Sequence, residues 1–242
     1  MTLLAIDGAT KKFDGLTAVN EVSFGLEAGE IVGLLGPNGS GKTTLINLVS
    51  GELAVTAGSI SLNGQRLTGR RRDQIARAGI ARTFQLVRIL PSLTLIENVT
   101  IPAVFGPGRR TVAEAQEVAL EALKQVGLSE MATASAADLT YIDQKRLELA
   151  RALASEPKVL LLDEWLAGLN PTELAEGIAL IRSLKESGIT ILMVEHIMEA
   201  VRALCPRVVV MNSGRLIADE ATETALRDPH VIAAYLGEGA DA

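Results

Sequence analysis

Three nearly unbroken apolar runs punctuate the chain: IVGLL at 31–35, VLLL at 159–162 and ITILMV at 189–194. Runs of this length without polar alternation are expected of strands covered on both faces, as in a parallel sheet flanked by helices. Residues 1–30 alternate instead, and read as short strands with polar breaks closed by the turn EAGE. GSISLNGQRL at 58–67 alternates around Asn63 and Gly64, a pair that favours the positive φ angles of a tight hairpin. Residues 70–80 carry charged and apolar positions at helical spacing, and RVVVMNSGRLIADE at 207–220 predicts a last hairpin turning at 212–214. Between about 87 and 138 the texture changes. A Pro/Gly break at 106–108 precedes VAEAQEVALEALKQVGL, in which Val112, Ala115, Val118, Ala119 and Ala122 share one helical face. The pattern predicts a mixed α/β core with an antiparallel N-terminal sheet, residues 1–86 and 139–242, interrupted by a helical insert at about 87–138.

Composition narrows this picture. A length of 242 residues suits one α/β domain, and 48 % apolar residues are ample for a core. Aromatics are only 3 %, so Leu, Ala, Ile and Val must do most of the packing. The formal charge of −6 argues against a surface built for nucleic acid, which is usually basic, and no nucleic-acid partner is expected. Cys205 is the single cysteine; it excludes an intrachain disulfide and reads as a small buried residue in a reducing compartment. The N-terminus has no basic stretch ahead of an apolar core, so no signal peptide is expected. No apolar run approaches the roughly 18 residues of a spanning helix. A soluble protein is expected, with any membrane role supplied through a partner.

Residues 36–44 read GPNGSGKTT, directly after the first apolar run and before a helical stretch from Leu45. They fit G-x-x-x-x-G-K-[ST] at every fixed position, in the strand–loop–helix setting that phosphate binding requires. Gly36, Gly39 and Gly41 tolerate the φ angles that wrap a backbone around an anion. Pro37, Asn38, Ser40 and Thr44 complete the loop, whose N–H groups point at phosphates together with the positive end of the following helix. Lys42 adds a charge for the β- and γ-phosphates, and Thr43 offers a hydroxyl to Mg²⁺. The expected ligand is a nucleoside triphosphate.

The second run ends in Asp163 and Glu164, at the strand edge where open α/β sheets bind ligands. An Asp there holds the hydration shell of Mg²⁺, and the adjacent Glu polarises a water for attack on the γ-phosphate. His196 ends the third run at a comparable edge and is expected to contact the γ-phosphate. His230 reads as a surface residue.

In order and spacing these residues resemble the ATP-binding cassette (ABC) family over nearly the whole chain. The resemblance implies a P-loop NTPase of the ABC ATPase fold: a RecA-like core, an antiparallel β subdomain and a helical insert subdomain. It implies that Phe13 in KKFDGLTAVNEVSF stacks on adenine, and that Gln85 in ARTFQLVRIL senses Mg²⁺ and passes motion to a transmembrane partner. LTYIDQKRLELARAL at 139–153 stands at the family signature, usually LSGGQ, with Thr140 offering its hydroxyl to ATP on a second cassette. GLNP at 168–171 stands at the dimer-contacting loop. ATP and Mg²⁺ are the implied cofactors, and hydrolysis of ATP the implied activity. A phosphate-loop kinase or GTPase would leave 168–171, the LARAL helix and His196 unexplained.

Finer features, GLTAVNEVSF, GIARTFQ, AGLNPTE and the ending VIAAYLGE, resemble the ATPases of branched-chain amino-acid importers. These imply transmembrane permease partners, a second ABC ATPase subunit in a hetero- or homodimer and, indirectly, a periplasmic amino-acid-binding protein. They also imply a peripheral place on the cytoplasmic face of the inner membrane. Relatives with similar endings serve urea uptake or lipopolysaccharide export. The segment FQLVRILPSLTLIENV at 84–99, Glu97 included, is expected to help form the groove for a cytoplasmic helix of the permease.

The signature departs from the family pattern: Tyr141, Ile142 and Asp143 stand where Gly, Gly and Gln are usual. At about 5 Å and an effective dielectric near 20, a carboxylate repels a phosphate charge by ~3 kcal/mol, more than one hydrogen bond of ~1–2 kcal/mol returns. Ile142 also forbids the close backbone approach that Gly allows. An asymmetric dimer follows, in which the ATP site completed by 139–143 is the weaker one. The alternative is that Asp143 turns into a helix cap with Thr140, whose spacing fits a capping box. Trp165, where Pro commonly follows the catalytic Glu, is expected to pack beneath 168–171.

Overall fold

The computed structural model describes residues 2–108 and 110–236; Met1, Arg109 and 237–242 lie outside it, including the last two residues of VIAAYLGE. β1 (Thr2–Phe13) and β2 (Leu16–Glu27) pair antiparallel along their full length. The polar interruptions therefore do not break them into short strands. Register shifts between Ile6 and Ala9, and again at Ala9/Lys11 and Lys11/Lys12, absorb the breaks as bulges within two long strands. β3 (Ile31–Leu35) leads into the 36–41 loop and α1 (Lys42–Val49). β4 (Ala57–Leu62) and β5 (Gln65–Arg66) form the expected hairpin, with φ of 50° at Asn63 and 72° at Gly64.

α2 (Arg72–Ala78) and β6 (Ile80–Arg82) precede the insert, which holds α3 (Leu95–Phe105) and α4 (Val112–Gln125). α5 (Tyr141–Leu153) packs against both insert helices, although it follows the sequence boundary at 139. The chain continues through β7 (Val159–Asp163), α6 (Pro171–Glu186), β8 (Thr190–Val194), α7 (Met198–Leu204), β9 (Arg207–Asn212) and β10 (Arg215–Ala221). α8 (Thr222–Ala225) and α9 (Pro229–Leu236) close the described chain.

The small sheet runs β2-β1-β4-β5, all antiparallel; the large one runs β10-β9-β3-β8-β7-β6, parallel except for the edge strand β10. β3, β7 and β8 are buried at every position, as their unbroken apolar runs require. Their side chains alternate between two cores. Leu34, Leu161 and Leu192 pack with α1 and the small sheet, whereas Leu35, Leu160 and Leu162 pack under the helices with Leu95, Leu123 and Leu149.

In α4 the buried face is Ala115, Ala119, Ala122 and Leu123. Val112 is exposed instead, because it is the first helical residue after the Thr111 cap and has no preceding turn to lie against. Thr94 with Glu97, Thr111 with Glu114 and Asn170 with Glu173 form capping boxes at α3, α4 and α6. Each cap is worth about 1 kcal/mol. Glu97 closes the cap at the start of α3, where hydrogen bonds from Thr94 lower its pKa.

Candidate nucleotide site

The carboxyl ends of β3, β6, β7 and β8 meet at one edge of the large sheet. Register sets Leu34 and Asp163 on either side of Val194, so Gly36, Glu164 and the 195–196 pair emerge together. At this edge the 36–41 loop turns sharply into α1. Gly36 has φ of 142° and Gly41 of 104°; a Cβ would stand 2.1 Å from the Met211 carbonyl oxygen at the first and 2.4 Å from that of Ala18 at the second. Only glycine fits either place.

Lys42 folds back over the loop, its Nζ donating to the carbonyls of Gly36 at 2.7 Å and Pro37 at 2.9 Å. Burial lowers its pKa, and the carboxylates of Glu164 and Asp163 act against that shift. Ser40 Oγ is buried with no hydrogen-bond partner among the described residues. In front of the loop opens a cleft of about 600 Å³ lined by Phe13, Asn38, Gly39, Ser40, Gly41, Lys42, Thr43, Thr44 and Glu164, with Gly214 opposite. Phe13 is 40 % exposed at its rim, with Lys11 Nζ 4.9 Å from the ring centroid.

Asp163 is buried and held by Arg82, whose Nη2 lies 2.7 Å from Oδ2. Arg82 also donates to Asn47 Oδ1, while its Nε is buried without a partner among the described residues. Removing one member of a buried pair costs about 3–5 kcal/mol, because the other charge is stranded. Arg82 was absent from the residues singled out by sequence, although a base three positions ahead of Gln85 in GIARTFQ is a visible signal.

Glu164 sits at φ 50°, a left-handed conformation that costs a carboxylate residue on the order of 1–3 kcal/mol. Its N–H donates to Val194 O at 2.9 Å, and its carbonyl accepts from Ala167 N at 3.1 Å. Gln85 Nε2 donates to Glu164 Oε2 at 2.8 Å, so the two come together. Trp165 is buried, packs against α6 beside Gly177 and donates from Nε1 to Lys145 O at 3.2 Å. The expected burial holds, with α5 and α6 as its neighbours.

Six expected residues are not in the cleft lining. Gly36 and Pro37 bond Lys42 from within the loop, Asp163 is buried with Arg82, Gln85 meets Glu164, and His196 and Thr140 lie apart. His196 is exposed just beyond β8, and Thr140 is exposed at the start of α5. There Thr140 Oγ1 donates to Asp143 Oδ2 at 2.7 Å and accepts from Asp143 N, while Arg146 lies 3.6 Å from the other carboxylate oxygen. Asp143 is therefore drawn into the cap, and Arg146 offsets its charge. A further contact has no signal in the sequence: Gly36 N donates to the Tyr235 hydroxyl of α9 at 2.8 Å.

The described residues hold no group of three or more His, Cys, Asp and Glu side chains that could cage a metal by itself. Of the three residues expected at Mg²⁺, Thr43 lines the cleft, Asp163 is buried against Arg82 and Gln85 is bonded to Glu164. All three carry hard oxygen donors of the kind Mg²⁺ takes alongside phosphates and water. A second depression, about 370 Å³, lies between β6 and α5 and is lined by Arg72, Arg82, Phe84, Arg88, Pro102 and Arg151 among others. No helix among the described residues is long and apolar enough to cross a membrane.

Comparison with known proteins agrees with this geometry. Residues 19–167 match the ABC transporter family model. The chain is 42 % identical over 250 residues to the high-affinity branched-chain amino acid transport ATP-binding protein LivG of Salmonella typhimurium, with 98 % of each chain covered. It is 40 % identical, over the same shares, to the corresponding protein BraF of Pseudomonas aeruginosa. Among solved structures, the ADP conformation of an ABC transporter's ATP-binding cassette superposes with a TM-score of 0.89 at 30 % identity, covering 98 % of this chain and 100 % of that one. A dimeric bacterial ABC transporter cassette gives 0.80 at 27 %, covering 90 % and 98 %. With its phosphate loop, its acidic strand end and its insert in the same order and fold, the chain belongs to the ABC transporter family of ATP-binding, ATP-hydrolysing cassettes.

Proposed function

We propose that this chain is the ATP-hydrolysing subunit of an importer for branched-chain amino acids. The observation that carries the reading is end-to-end likeness to LivG and BraF, both named for branched-chain amino acid transport. In this reading adenine stacks on the exposed ring of Phe13 and the phosphates enter the loop from Gly36 to Thr44. Lys42 exchanges its two carbonyl partners for β- and γ-phosphate oxygens. Thr43, Asp163 and Gln85 would hold Mg²⁺, which supplies neutralisation of phosphate charge. Glu164, already turned to the cleft, orients a water and accepts its proton. Gln85 leaves Glu164 as the site fills, and His196 contacts the γ-phosphate.

Thr140 and the exposed start of α5 serve the ATP of a second cassette, whether a different ATPase chain or another copy. The arginine-lined depression beside Phe84 and Arg88 receives a cytoplasmic segment of a transmembrane permease. The chain thereby works as a peripheral subunit at the cytoplasmic face of the inner membrane, linked to a periplasmic amino-acid-binding protein only through the permeases.

The test is mild-detergent purification of the tagged chain from its native membranes, followed by mass spectrometry and by uptake of radiolabelled leucine in cells lacking the gene. Two permeases among the partners, and uptake restored by the wild-type chain but not by Glu164→Gln, are the expected results. Soluble partners without a permease would overturn the transport reading, and restored uptake of a different solute would overturn the substrate.

A further inference from the structure

We propose that Lys145 and Glu195 are positioning residues that clamp the backbone turn following Glu164 and so fix the direction of that carboxylate. The proposal rests on the reading of Glu164 as the group that orients the attacking water. Neither residue reaches the cleft, since each is 2 % exposed. Lys145 Nζ donates to Trp165 O at 2.7 Å and to Ala167 O at 2.9 Å. Between those two carbonyls, Leu166 N donates to Glu195 Oε1 at 2.8 Å. The polar groups of three successive residues after Glu164 are thus held by two side chains, one from α5 and one from the residue following β8.

What they hold is a conformation that the chain does not favour. Glu164 is left-handed at φ 50°, and its own turn is closed by a single hydrogen bond from Ala167 N. Release of the 165–167 peptides would let the backbone relax and swing the carboxylate away from Gln85 and the cleft. Packing alone does not call for these side chains. Apolar residues fill a buried layer without the desolvation of an ammonium and a carboxylate. Burial here lowers the pKa of Lys145 and raises that of Glu195, so the site disfavours both charged forms. Glu195 Oε2 is even left without a partner among the described residues. The hydrogen bonds these two groups make with the turn account for their placement.

The clamp also has two outward attachments. Lys145 lies on the helix whose first turn carries Thr140 and Asp143, and Glu195 is the neighbour of His196. A displacement at either place reaches the turn of Glu164 through one side chain.

The test uses the full chain, with steady-state ATP turnover, affinity for a fluorescent ATP analogue and thermal unfolding measured together. Lys145→Met and Glu195→Ala are expected to lower kcat by roughly 100-fold, the cost of misplacing a reacting group by about 1 Å, with KM and analogue affinity within about twofold of wild type. Lys145→Arg keeps donors for the two carbonyls and Glu195→Gln keeps an acceptor for Leu166 N, so each is expected to recover most of the lost turnover. Folded Lys145→Met and Glu195→Ala chains with unchanged kcat would overturn the clamp. So would a rise in KM that matches the fall in kcat, which reads as general damage to the site. If Lys145→Met does not fold, the Glu195→Ala and Glu195→Gln pair decides: equal turnover in the two sinks the proposal. Glu164→Gln separates the two layers of argument. Its full activity would remove the role of Glu164 and the clamp with it, whereas its inactivity beside fully active clamp variants would remove the clamp alone.

Discussion

Lys42 and Lys145 flank the same acidic segment and make nearly the same local contacts. Lys42 donates to the carbonyls of Gly36 and Pro37, Lys145 to those of Trp165 and Ala167. Burial lowers the pKa of both, and Glu164 opposes the shift in both. The difference is what lies in front of them. Lys42 borders a cleft of about 600 Å³, where an arriving phosphate is a better partner than two carbonyls of its own loop. Lys145 is sealed beneath Trp165 and has nothing to exchange with. In the proposed function the same ammonium chemistry binds a ligand in one place and fixes a backbone in the other, and access decides which.

Lys42→Ala is the strongest attempt to break this comparison. Loss of a charge aimed at transferring phosphate is expected to cost roughly 10²–10³-fold in turnover, with ATP affinity falling as well. Normal ATP affinity in that variant would place Lys42 with Lys145 as a structural donor.

A second experiment addresses the sealed layer through pH. Burial raises the pKa of Glu195 and of Glu148, so the folded chain retains protons that the unfolded chain releases. The stability tied to those protons is full below about pH 4.5 and is lost as pH rises through the raised values. Glu195→Gln stays neutral and escapes its share. Its unfolding temperature relative to wild type should therefore climb between about pH 4.5 and pH 7, by an amount equivalent to at most ~1.4 kcal/mol per pH unit. A flat difference across that range would show that Glu195 titrates normally.

The smallest effect is expected at Asp143→Asn. The carboxylate is already taken up by Thr140 and offset by Arg146, and a partly exposed pair of this kind is worth about 0–1 kcal/mol. Turnover of the assembled dimer should change by less than about threefold, which corresponds to ~0.65 kcal/mol. A tenfold gain would mean that Asp143 faces phosphate after all, and would restore the electrostatic case for a weak second site. Ile142, whose side chain stands where glycine is usual, carries the remaining steric case.

Legibility in the sequence followed the range of the interactions. Local patterns carried the phosphate loop, the buried strands β3, β7 and β8, the Asn63-Gly64 hairpin and the packing of Trp165. The long strands β1 and β2 were harder, because bulges break alternation without ending a strand. Val112 was misplaced for a related reason, since periodicity does not reveal where a helix is capped. Least legible were contacts that only the tertiary fold creates. Arg82 meets Asp163 across 81 positions, Leu166 meets Glu195 across 29, and Gly36 meets Tyr235 across 199. Glu195 and Tyr235 read as ordinary polar residues until the fold brings them to Leu166 and Gly36.

The lone Cys205 has a practical consequence. Its side chain is buried beneath β3 and β9, where burial pushes the thiol up to about 12. Thiol reagents act on the thiolate, so at neutral pH the native chain is chemically silent. A cysteine introduced at an exposed position, such as Val112 on the insert or Leu16 at the rim of the cleft, becomes the only reactive thiol. Paired with a second such site it makes a spectroscopic ruler between insert and core, with no native residue to remove first.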